Sequence, residues 1–351
     1  AGAVPEPEKV GKAALSLSAA TGYPILADPL SGARFGPSAG ADRVAAYDLF
    51  LRDEGISRAL NPDLVLRVGA TPTSAALQAW LQHHNGVRHI VVDAGQRWKD
   101  YGATATDYVK ADPEKTLGAL AGRANNSVDQ DWASLWRTAS RAARHAIDAD
   151  EGDLHEGDVL AMVAEVLPEG GNLFISSSMP VRDLDSFGLP REEQLMVFGN
   201  RGASGIDGIV SSAFGVAAAR PAPTVCVLGD IAFFHDQNGL LWNREPDCPV
   251  VFVLIDNDGG GIFHMLPIAD HEPAFSQFFA TPHGLDFQHA ARIHNLDWLS
   301  LDISDLGTGL ATALESGRTS ILRVTSDRET NKRRHEEIAE AVAQHVLDTL
   351  R

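Results

Sequence analysis

Helical and extended hydrophobic patterns alternate along the first third of the chain. The apolar spacing predicts, in order, helix 9–20, strand 23–27, helix 44–52, strand 64–68, helix 75–83, strand 89–93, strand 108–111 and helix 116–123. Strands and helices that alternate at this length are typical of a parallel α/β domain, which we place at residues 1–125. Because no Gly-x-Gly-x-x-Gly follows the first strand, we interpret this domain as a scaffold rather than a dinucleotide-binding domain.

Residues 126–155 predict a helical linker. A turn signal at 125–127 precedes a segment, 129–149, in which Trp132 and Trp136 stand at helical spacing. We interpret these tryptophans as core or interface residues rather than as a platform for a cofactor, because large aromatic side chains on one helical face usually pack inward.

The remaining residues, 156–351, predict a second domain of the same class. Its clearest elements are helix 159–167, strand 172–176, helix 209–219, strand 224–228 and strand 250–255. The last two strands are continuous apolar runs, as expected of strands that are buried on both faces of a parallel sheet. The predicted fold class is therefore α/β in both domains.

Each of these last two strands ends abruptly in small and polar residues. Asp230 follows Gly229 after the first strand, and Asn257 lies in an Asp-Asn-Asp-Gly-Gly-Gly turn after the second. Because ligands bind at the carboxyl ends of strands in open α/β sheets, Asp230 and Asn257 are expected to face one crevice. Their oxygens and nearby glycine carbonyls suit Mg²⁺ or Ca²⁺ held with a phosphate group. A Gly-Asp pair at a strand end is common, so residue types alone leave this interpretation open.

A second candidate cluster combines serine and arginine. Ser178 and Arg182 are four positions apart at a predicted helix start, so they are expected to share one helical face. Arg201 lies in the glycine-rich loop 199–208. Arginines beside a phosphate-type site are suited to bidentate binding of carboxylates. On composition alone, however, surface or structural ion pairs are the favoured interpretation of both arginines.

Charge and composition argue against several classes of binding partner and location. The formal net charge is −18, which argues against nucleic-acid binding because the phosphate backbone would be repelled. No apolar run approaches the length of a membrane span, and no secretory signal begins the chain. Cys226 and Cys248 are expected to be thiols rather than a disulfide, in keeping with a reducing cytoplasm.

The second predicted domain carries five distinctive motifs. In order from Ser176, they read SSSMPVRDLD, GNRGASGIDG, GDIAFFHDQNGLL, GGGIFHMLP and TPHGLDFQHAA. Together they resemble the thiamine diphosphate (ThDP) enzymes of the 2-succinyl-5-enolpyruvyl-6-hydroxy-3-cyclohexene-1-carboxylate synthase family, the MenD family. The resemblance continues more weakly through residues 321–334 and back through 28–32. It implies two three-layer parallel-sheet domains, a central domain and a diphosphate-binding domain.

The resemblance also implies a role for each matching residue. Mg²⁺, with Mn²⁺ or Ca²⁺ as substitutes, would be held by Asp230, Asn257 and the carbonyl of Gly259. The implied cofactor-binding residues are Ile206 (a wedge beneath the cofactor), Gly229, Asp230, Ile231, Asn257 and Ile262. The implied substrate-binding residues are Ser178, Arg182, Arg201, Phe263 and Leu266, with Ile262, Phe263 and Leu266 forming an apolar wall over the thiazolium ring.

The chemistry implied by the resemblance is a carboligation in menaquinone biosynthesis. Decarboxylated 2-oxoglutarate is joined to isochorismate, with ThDP as the electron sink. Family members act as oligomers and have a further, pyrimidine-binding domain, whose glutamate activates the cofactor. Because the motifs match only the central and diphosphate-binding domains, we expect no catalytic glutamate in this chain and little or no activity from it alone.

Several alternatives stay open at this stage. One is another ThDP-dependent carboligase or decarboxylase, similar to acetolactate synthase, and another is a non-catalytic ThDP-fold module that needs a partner chain. The stretch 70–75 lacks the basic residue that family members often carry there, so one substrate contact is expected to be missing or supplied differently. Asp258, His264 and His283 stay unassigned, although His264 is expected to bond its surroundings rather than a substrate.

Overall fold

The chain forms two compact units in the computed structural model, which describes residues 1–95, 100–125, 128–245 and 247–351. The first unit comprises Ala1–Glu151, Gly188–Met196 and Glu337–Arg351. The second comprises Gly152–Phe187 and Val197–Glu336. Each unit contains parallel strands and helices, so both belong to the predicted α/β class.

The first unit is built around two small parallel sheets. Its strands are β1 (Ile25–Leu26), β2 (Arg43–Val44), β3 (Leu64–Val68), β4 (Arg88–Asp93) and β5 (Asp107–Lys110). Strands β1 and β2 pair with each other, and β3, β4 and β5 form a three-stranded sheet. Its helices are α1 (Pro7–Thr21), α2 (Tyr47–Phe50), α3 (Glu54–Ala59), α4 (Ala75–His83), α5 (Pro113–Ala121) and α6 (Gln130–Asp148).

Helix α1 illustrates how local sequence determines an element of this unit. Proline occupies its first turn, where no backbone N–H is needed, and Gly22 ends it in a left-handed conformation with φ 77°. Val10, Ala14 and Leu17 recur at helical spacing and are buried. This buried face packs against α5.

Helix α6 belongs to the first unit, whereas the sequence predicted a linker between domains. Trp136 is 1% exposed, and its ring contacts Phe50 and Trp80 edge-on at centroid distances of 6.3 and 5.7 Å. These contacts join α6 to α2 and α4, and they place Trp136 in the core, as its helical spacing indicated. The turn predicted at Asn125–Ser127 falls largely on residues 126 and 127, which lie outside the described residues.

The segment predicted as helix 44–52 is divided in the structure. Arg43–Val44 is a strand paired with β1, and the helix that follows covers only Tyr47–Phe50. Ala46 separates them with φ 53°, a left-handed conformation that a continuous helix cannot contain. The apolar spacing predicted burial correctly but could not reveal this backbone break.

The second unit is built on one six-stranded sheet. Its strands are β6 (Asn172–Ile175), β7 (Met196–Phe198), β8 (Thr224–Gly229), β9 (Val251–Asp256), β10 (Asp297–Leu301) and β11 (Ser320–Thr325). The spatial order is β10-β11-β9-β8-β6-β7, and neighbouring strands from β10 to β6 run parallel. Residue Met196 of β7 is grouped with the first unit.

Helices connect these strands. They are α7 (Glu156–Val166), α8 (Met179–Phe187), α9 (Ile209–Ala219), α10 (Asp230–Asp236), α11 (Gln288–Ile293), α12 (Leu306–Ser316) and α13 (Arg328–Leu350), whose C-terminal part is grouped with the first unit. Short 3-10 helices cover Pro29–Ser31, Gln237–Arg244, Gly261–Met265, Pro267–Asp270 and Ile303–Asp305, and a π-helix covers Ser276–Ala280.

The core of the second unit surrounds the middle of its sheet. Cys226 and Leu228 of β8, with Phe252 and Leu254 of β9, are completely buried beside Phe214 of α9. Both cysteines are free thiols, as the sequence predicted. Among the helices of the described residues, none combines the length and apolarity needed to traverse a bilayer.

Candidate cation and substrate site at the carboxyl edge of the second sheet

The strand order places the candidate residues at one edge of the sheet. Strands β6, β8 and β9 are consecutive neighbours, and they are followed by Ser176, Asp230 and Asn257 respectively. The chain continues from β6 outward to β7 but from β8 to β9 on the opposite side, so the connections diverge between β6 and β8. Ligands of open α/β sheets bind at such a switch point, outside the carboxyl ends of the strands.

Asp230 is an acidic group that is almost fully buried at this edge, at 2% exposure. Its Oδ1 accepts a hydrogen bond from the Ile231 N–H at 2.6 Å, and its Oδ2 accepts from the N–H groups of Gly259 and Asn257 at 2.9 and 3.2 Å. Burial raises the pKa of this carboxyl, whereas the Gly259 and Ile231 N–H groups act to lower it. The carboxylate therefore joins the ends of β8 and β9.

Asn257 presents an oxygen that nothing in the described part of the chain satisfies. Its Nδ2 donates to Glu156 Oε1 at 2.8 Å, whereas its Oδ1 is buried and has no hydrogen-bond partner among the described residues. Buried polar atoms are nearly always paired, so an orphaned acceptor on a residue whose backbone N–H bonds Asp230 fits a cation.

Gly259 completes the predicted set of oxygen donors. It has φ 144°, a conformation that L side chains rarely adopt, and a Cβ there would lie 2.1 Å from the Ala280 carbonyl oxygen. Its own carbonyl accepts from the Gly261 N–H at 3.0 Å and keeps a second lone pair. The three residues predicted for Mg²⁺ thus lie together and have the chemistry of an oxygen-ligated divalent cation site.

His283, which the sequence analysis left unassigned, also lies beside Asp230. Its Nε2 lies 3.2 Å from Asp230 Oδ2, and its Nδ1 lies 3.4 Å from Asp258 Oδ1. Single ligand atoms of Asp230, Asp256 and His283 all lie within 4.8 Å of one another. Asp256 also forms an ion pair with Arg323 at 2.7 Å, so its charge is compensated by the protein. His283 belongs to the TPHG motif, but no local sequence pattern predicted that this motif would lie against Asp230.

The serine–arginine cluster follows β6. Ser178 has φ 74°, and its carbonyl accepts a hydrogen bond from Arg182 Nη1 at 2.6 Å. Arg201 Nη1 donates to the hydroxyl of Ser177 at 3.3 Å, and that hydroxyl in turn donates to the Asn200 carbonyl at 3.1 Å. The structure therefore brings both arginines to one serine turn. Ser177, which the sequence did not single out, is buried at its centre.

The apolar candidates have unequal exposure. Ile206 is half-buried and packs against the core of the second unit. Ile262 and Phe263 are half-buried in the 3-10 helix Gly261–Met265, and the Phe263 ring meets Phe279 edge-on at 5.5 Å. Leu266 is exposed. At Gly229, a Cβ would meet no atom within 4 Å, so there is open space beside the end of β8 for a bound group.

Glu156 is the functional candidate that sequence reasoning missed. It is 1% exposed, and its Oε1 accepts from both Asn257 Nδ2 and Ser326 Oγ. Burial raises the pKa of this carboxyl, and nearby Asp183 raises it further. In the sequence Glu156 stands in an acidic stretch that indicates a linker or a helix start, and no local signal separates it from its solvated neighbours.

His264 bonds its surroundings, in line with the interpretation preferred from the sequence. Its ring is buried, with Nδ1 3.1 Å from Glu329 Oε1 and an edge-on contact with Phe275. Burial lowers the pKa of this histidine, although the Glu329 carboxylate opposes the shift.

Two family models match the chain. Residues 1–175 match the "Middle domain of thiamine pyrophosphate" model, and residues 186–324 match "Thiamine pyrophosphate enzyme, C-terminal TPP binding domain". Thiamine pyrophosphate and thiamine diphosphate are the same compound. The two matches together cover both units over most of their length.

Curated relatives agree with these matches. The chain is 43% identical over 337 residues to the 2-succinyl-5-enolpyruvyl-6-hydroxy-3-cyclohexene-1-carboxylate synthase of Halobacterium salinarum, with 94% of this chain and 56% of the relative covered. The same-named proteins of Halorubrum lacusprofundi and Chloroflexus aurantiacus are each 40% identical, over 99% and 93% of this chain and 61% and 56% of the relatives. The chain thus spans little more than half the length of these relatives.

Proposed function

The chain belongs to the MenD family of ThDP enzymes, and from this membership we propose that the protein is a ThDP- and Mg²⁺-dependent carboligase. Its proposed reaction joins decarboxylated 2-oxoglutarate to isochorismate, giving 2-succinyl-5-enolpyruvyl-6-hydroxy-3-cyclohexene-1-carboxylate for menaquinone biosynthesis. The observation that carries the proposal is the buried, unpartnered Asn257 Oδ1, which lies with Asp230 at the carboxyl edge of the sheet. The two free thiols are consistent with a cytoplasmic location.

The cation is proposed to be held by Asp230, Asn257 Oδ1 and the Gly259 carbonyl, with Mn²⁺ or Ca²⁺ as substitutes for Mg²⁺. Backbone N–H groups hold the Asp230 carboxylate, so the charge that meets the cation is in place before the cation arrives. Gly229, with open space at its Cβ position, and Ile231 after it are proposed to lie against the diphosphate. When bound, ThDP supplies the electron sink for decarboxylation and carbon–carbon bond formation.

The substrates are proposed to meet arginine and apolar groups. Both substrates are multiply anionic, and Arg182 and Arg201 converge on the Ser177–Ser178 turn, where two guanidinium groups can hold carboxylates. Ser178 is proposed to add a hydroxyl to this site. Ile206 is proposed as the support beneath the cofactor, and Ile262, Phe263 and Leu266 as the apolar wall that excludes water from the reacting atoms.

Activity is proposed to need a pyrimidine-binding domain, from the same protein or from a partner in a homo-oligomer. The glutamate that activates the cofactor in the family is expected in that domain. Glu156 is not proposed for that role, because both donors on its Oε1 come from its own unit and one of them belongs to the cation ligand Asn257.

Calorimetric titration of ThDP with Mg²⁺ tests the cofactor site. Binding is expected to this chain or to its combination with a pyrimidine-binding domain, and Asp230→Ala should abolish it. Turnover of 2-oxoglutarate with isochorismate, measured with and without that domain, tests the reaction. Turnover of pyruvate without 2-oxoglutarate would instead indicate an acetolactate-synthase-like enzyme. Full turnover by the chain alone would contradict the need for a further domain.

A further inference from the structure

We propose that Glu156 is a positioning residue that fixes the orientation of the Asn257 amide, so that Oδ1 rather than Nδ2 faces the cation. The inference rests on the proposed cation site and adds a residue to it. Glu156 is the first residue of α7, whereas Asn257 follows β9, and the two are 101 positions apart in the chain.

The contacts of Glu156 define the direction of the amide. Its Oε1 accepts from Asn257 Nδ2 at 2.8 Å and from Ser326 Oγ at 2.6 Å. Both groups donate to the same oxygen, so Oε1 of Glu156 is the acceptor in each contact. The Asn257 nitrogen is thereby held against Glu156, and its oxygen is directed away from it.

Glu156 is itself held from several sides. Its backbone N–H donates to Asn331 Oδ1 of α13 at 3.0 Å, and the side chain stands in the first turn of α7, where the helix dipole favours a negative charge. The next residue, Gly157, packs so closely that a Cβ there would lie 2.4 Å from the Phe187 ring. Glu156 is thus held by its place in α7, by Ser326 immediately after β11 and by Asn331 of α13, rather than by one flexible contact.

The physical need for such a residue comes from the shape of an amide. The oxygen and nitrogen of asparagine are nearly equal in size, so packing alone discriminates poorly between the two orientations. A carboxylate does discriminate, because the flipped amide would place an acceptor against an acceptor and would turn an N–H donor toward the cation. A glutamine at position 156 could pair with either orientation and would not discriminate.

The test measures Mn²⁺ binding by electron paramagnetic resonance, with saturating ThDP and the same polypeptides as in the titration above. Glu156→Gln conserves shape, and we expect it to weaken Mn²⁺ binding by about 10–100-fold, the range for residues that orient metal ligands. Asp230→Ala should abolish binding. Thermal unfolding followed by circular dichroism checks that each variant is folded, and Ser326→Ala, which leaves the carboxylate in place, should have the smaller effect on Mn²⁺ affinity.

A double-mutant cycle separates positioning from a general structural role. A carboxylate at position 257 has two equivalent oxygens and no orientation to fix, and it would be repelled by Glu156. In the Asn257→Asp background, Glu156→Gln should therefore strengthen Mn²⁺ binding instead of weakening it. Equal weakening in both backgrounds, or unchanged affinity in Glu156→Gln alone, would overturn the inference but leave the cation site intact. Absence of Mn²⁺ binding by the unsubstituted protein would overturn the proposed function as well.

Discussion

The Nε2 atom of His335 lies 2.8 Å from Oδ1 of Asp183, and both side chains are buried. His335 Nδ1 contacts the Asn331 carbonyl at 2.8 Å, and the ring meets His155 and Phe187 edge-on. Asp183 immediately follows Arg182 in α8, so this contact anchors the helix that presents one of the two arginines of the serine–arginine cluster. Burial disfavours the charged ring, but the Asp183 carboxylate, the Asn331 carbonyl and the charge of Glu156 together raise the pKa of His335 above its ordinary value.

The raised pKa predicts a loss of stability at alkaline pH. The folded protein keeps the His335 proton at pH values where the unfolded chain, with an ordinary pKa near 6.5, has released it. The stabilising contribution is therefore complete below about pH 6.5 and declines as pH rises through the folded-state pKa. Urea unfolding from about pH 6 to 9 should show this decline in the natural protein and not in His335→Gln. A difference between the two proteins that is constant over this range would contradict the prediction.

His89 predicts the opposite pH dependence in the first unit. Its ring is buried in β4 with Nδ1 3.0 Å from Thr104 Oγ1, and burial, with the nearby Arg67 charge, lowers its pKa to about 4. In the unfolded chain His89 binds a proton near pH 6.5, whereas in the folded protein it stays neutral until about pH 4. The contribution of neutral His89 to the free energy of unfolding is therefore present above pH 6.5 and is lost as pH falls toward 4. The loss should reach about 3 kcal/mol. Acid unfolding of the natural protein should be steeper than that of His89→Gln, and identical curves would contradict the assignment.

Gly259 predicts a contrast between two glycine-to-alanine changes. Gly259→Ala places a Cβ 2.1 Å from the Ala280 carbonyl in a backbone with φ 144°, so the loop must move and cation binding should be lost. Gly215→Ala is the matched control, because Gly215 is an exposed residue of α9 with no atom within 4 Å of its Cβ position. The control should raise the free energy of unfolding by about 0.5–1 kcal/mol and leave Mn²⁺ affinity unchanged. Retention of Mn²⁺ binding by Gly259→Ala would remove this loop from the cation site.

Arg201 predicts a substrate effect that depends on guanidinium geometry. Arg201→Ala and Arg201→Lys, measured with the same polypeptides as the proposed turnover, should both raise KM for an anionic substrate, with about a 10–100-fold change for alanine. Rising ionic strength should weaken substrate binding less in the alanine variant than in the natural protein. Arg292→Ala is the control, because Arg292 is exposed on α11 and its Nη2 donates to Gln288 Oε1 at 2.9 Å. Unchanged KM values in both Arg201 variants would contradict the prediction. They would indicate that Arg201 does not bind substrate and serves only to hydrogen-bond Ser177.

Much of the architecture was predictable because it depends on local spacing. Strand β3 and helices α4 and α9 begin and end at the predicted residues. Strand β8 ends one residue later than predicted, and β9 begins and ends one residue later. Hydrophobic periodicity carries this information directly. The placement of α6 was not predictable in the same way, because its membership of the first unit depends on the packing of Trp136 against Phe50 and Trp80.

The sequence by itself determined the α/β class, the family and the meeting of Asp230 with Asn257, because the carboxyl ends of adjacent parallel strands must share one edge. Only the tertiary structure decided which other groups join them. Glu156 reaches Asn257 across 101 positions, and His335 reaches Asp183 across 152. Whether a charged residue in a polar stretch is solvated or buried depends on the distant segments that pack over it, and no local pattern records those segments. The direction of the Asn257 amide, with its nitrogen toward Glu156, was therefore decided by the fold.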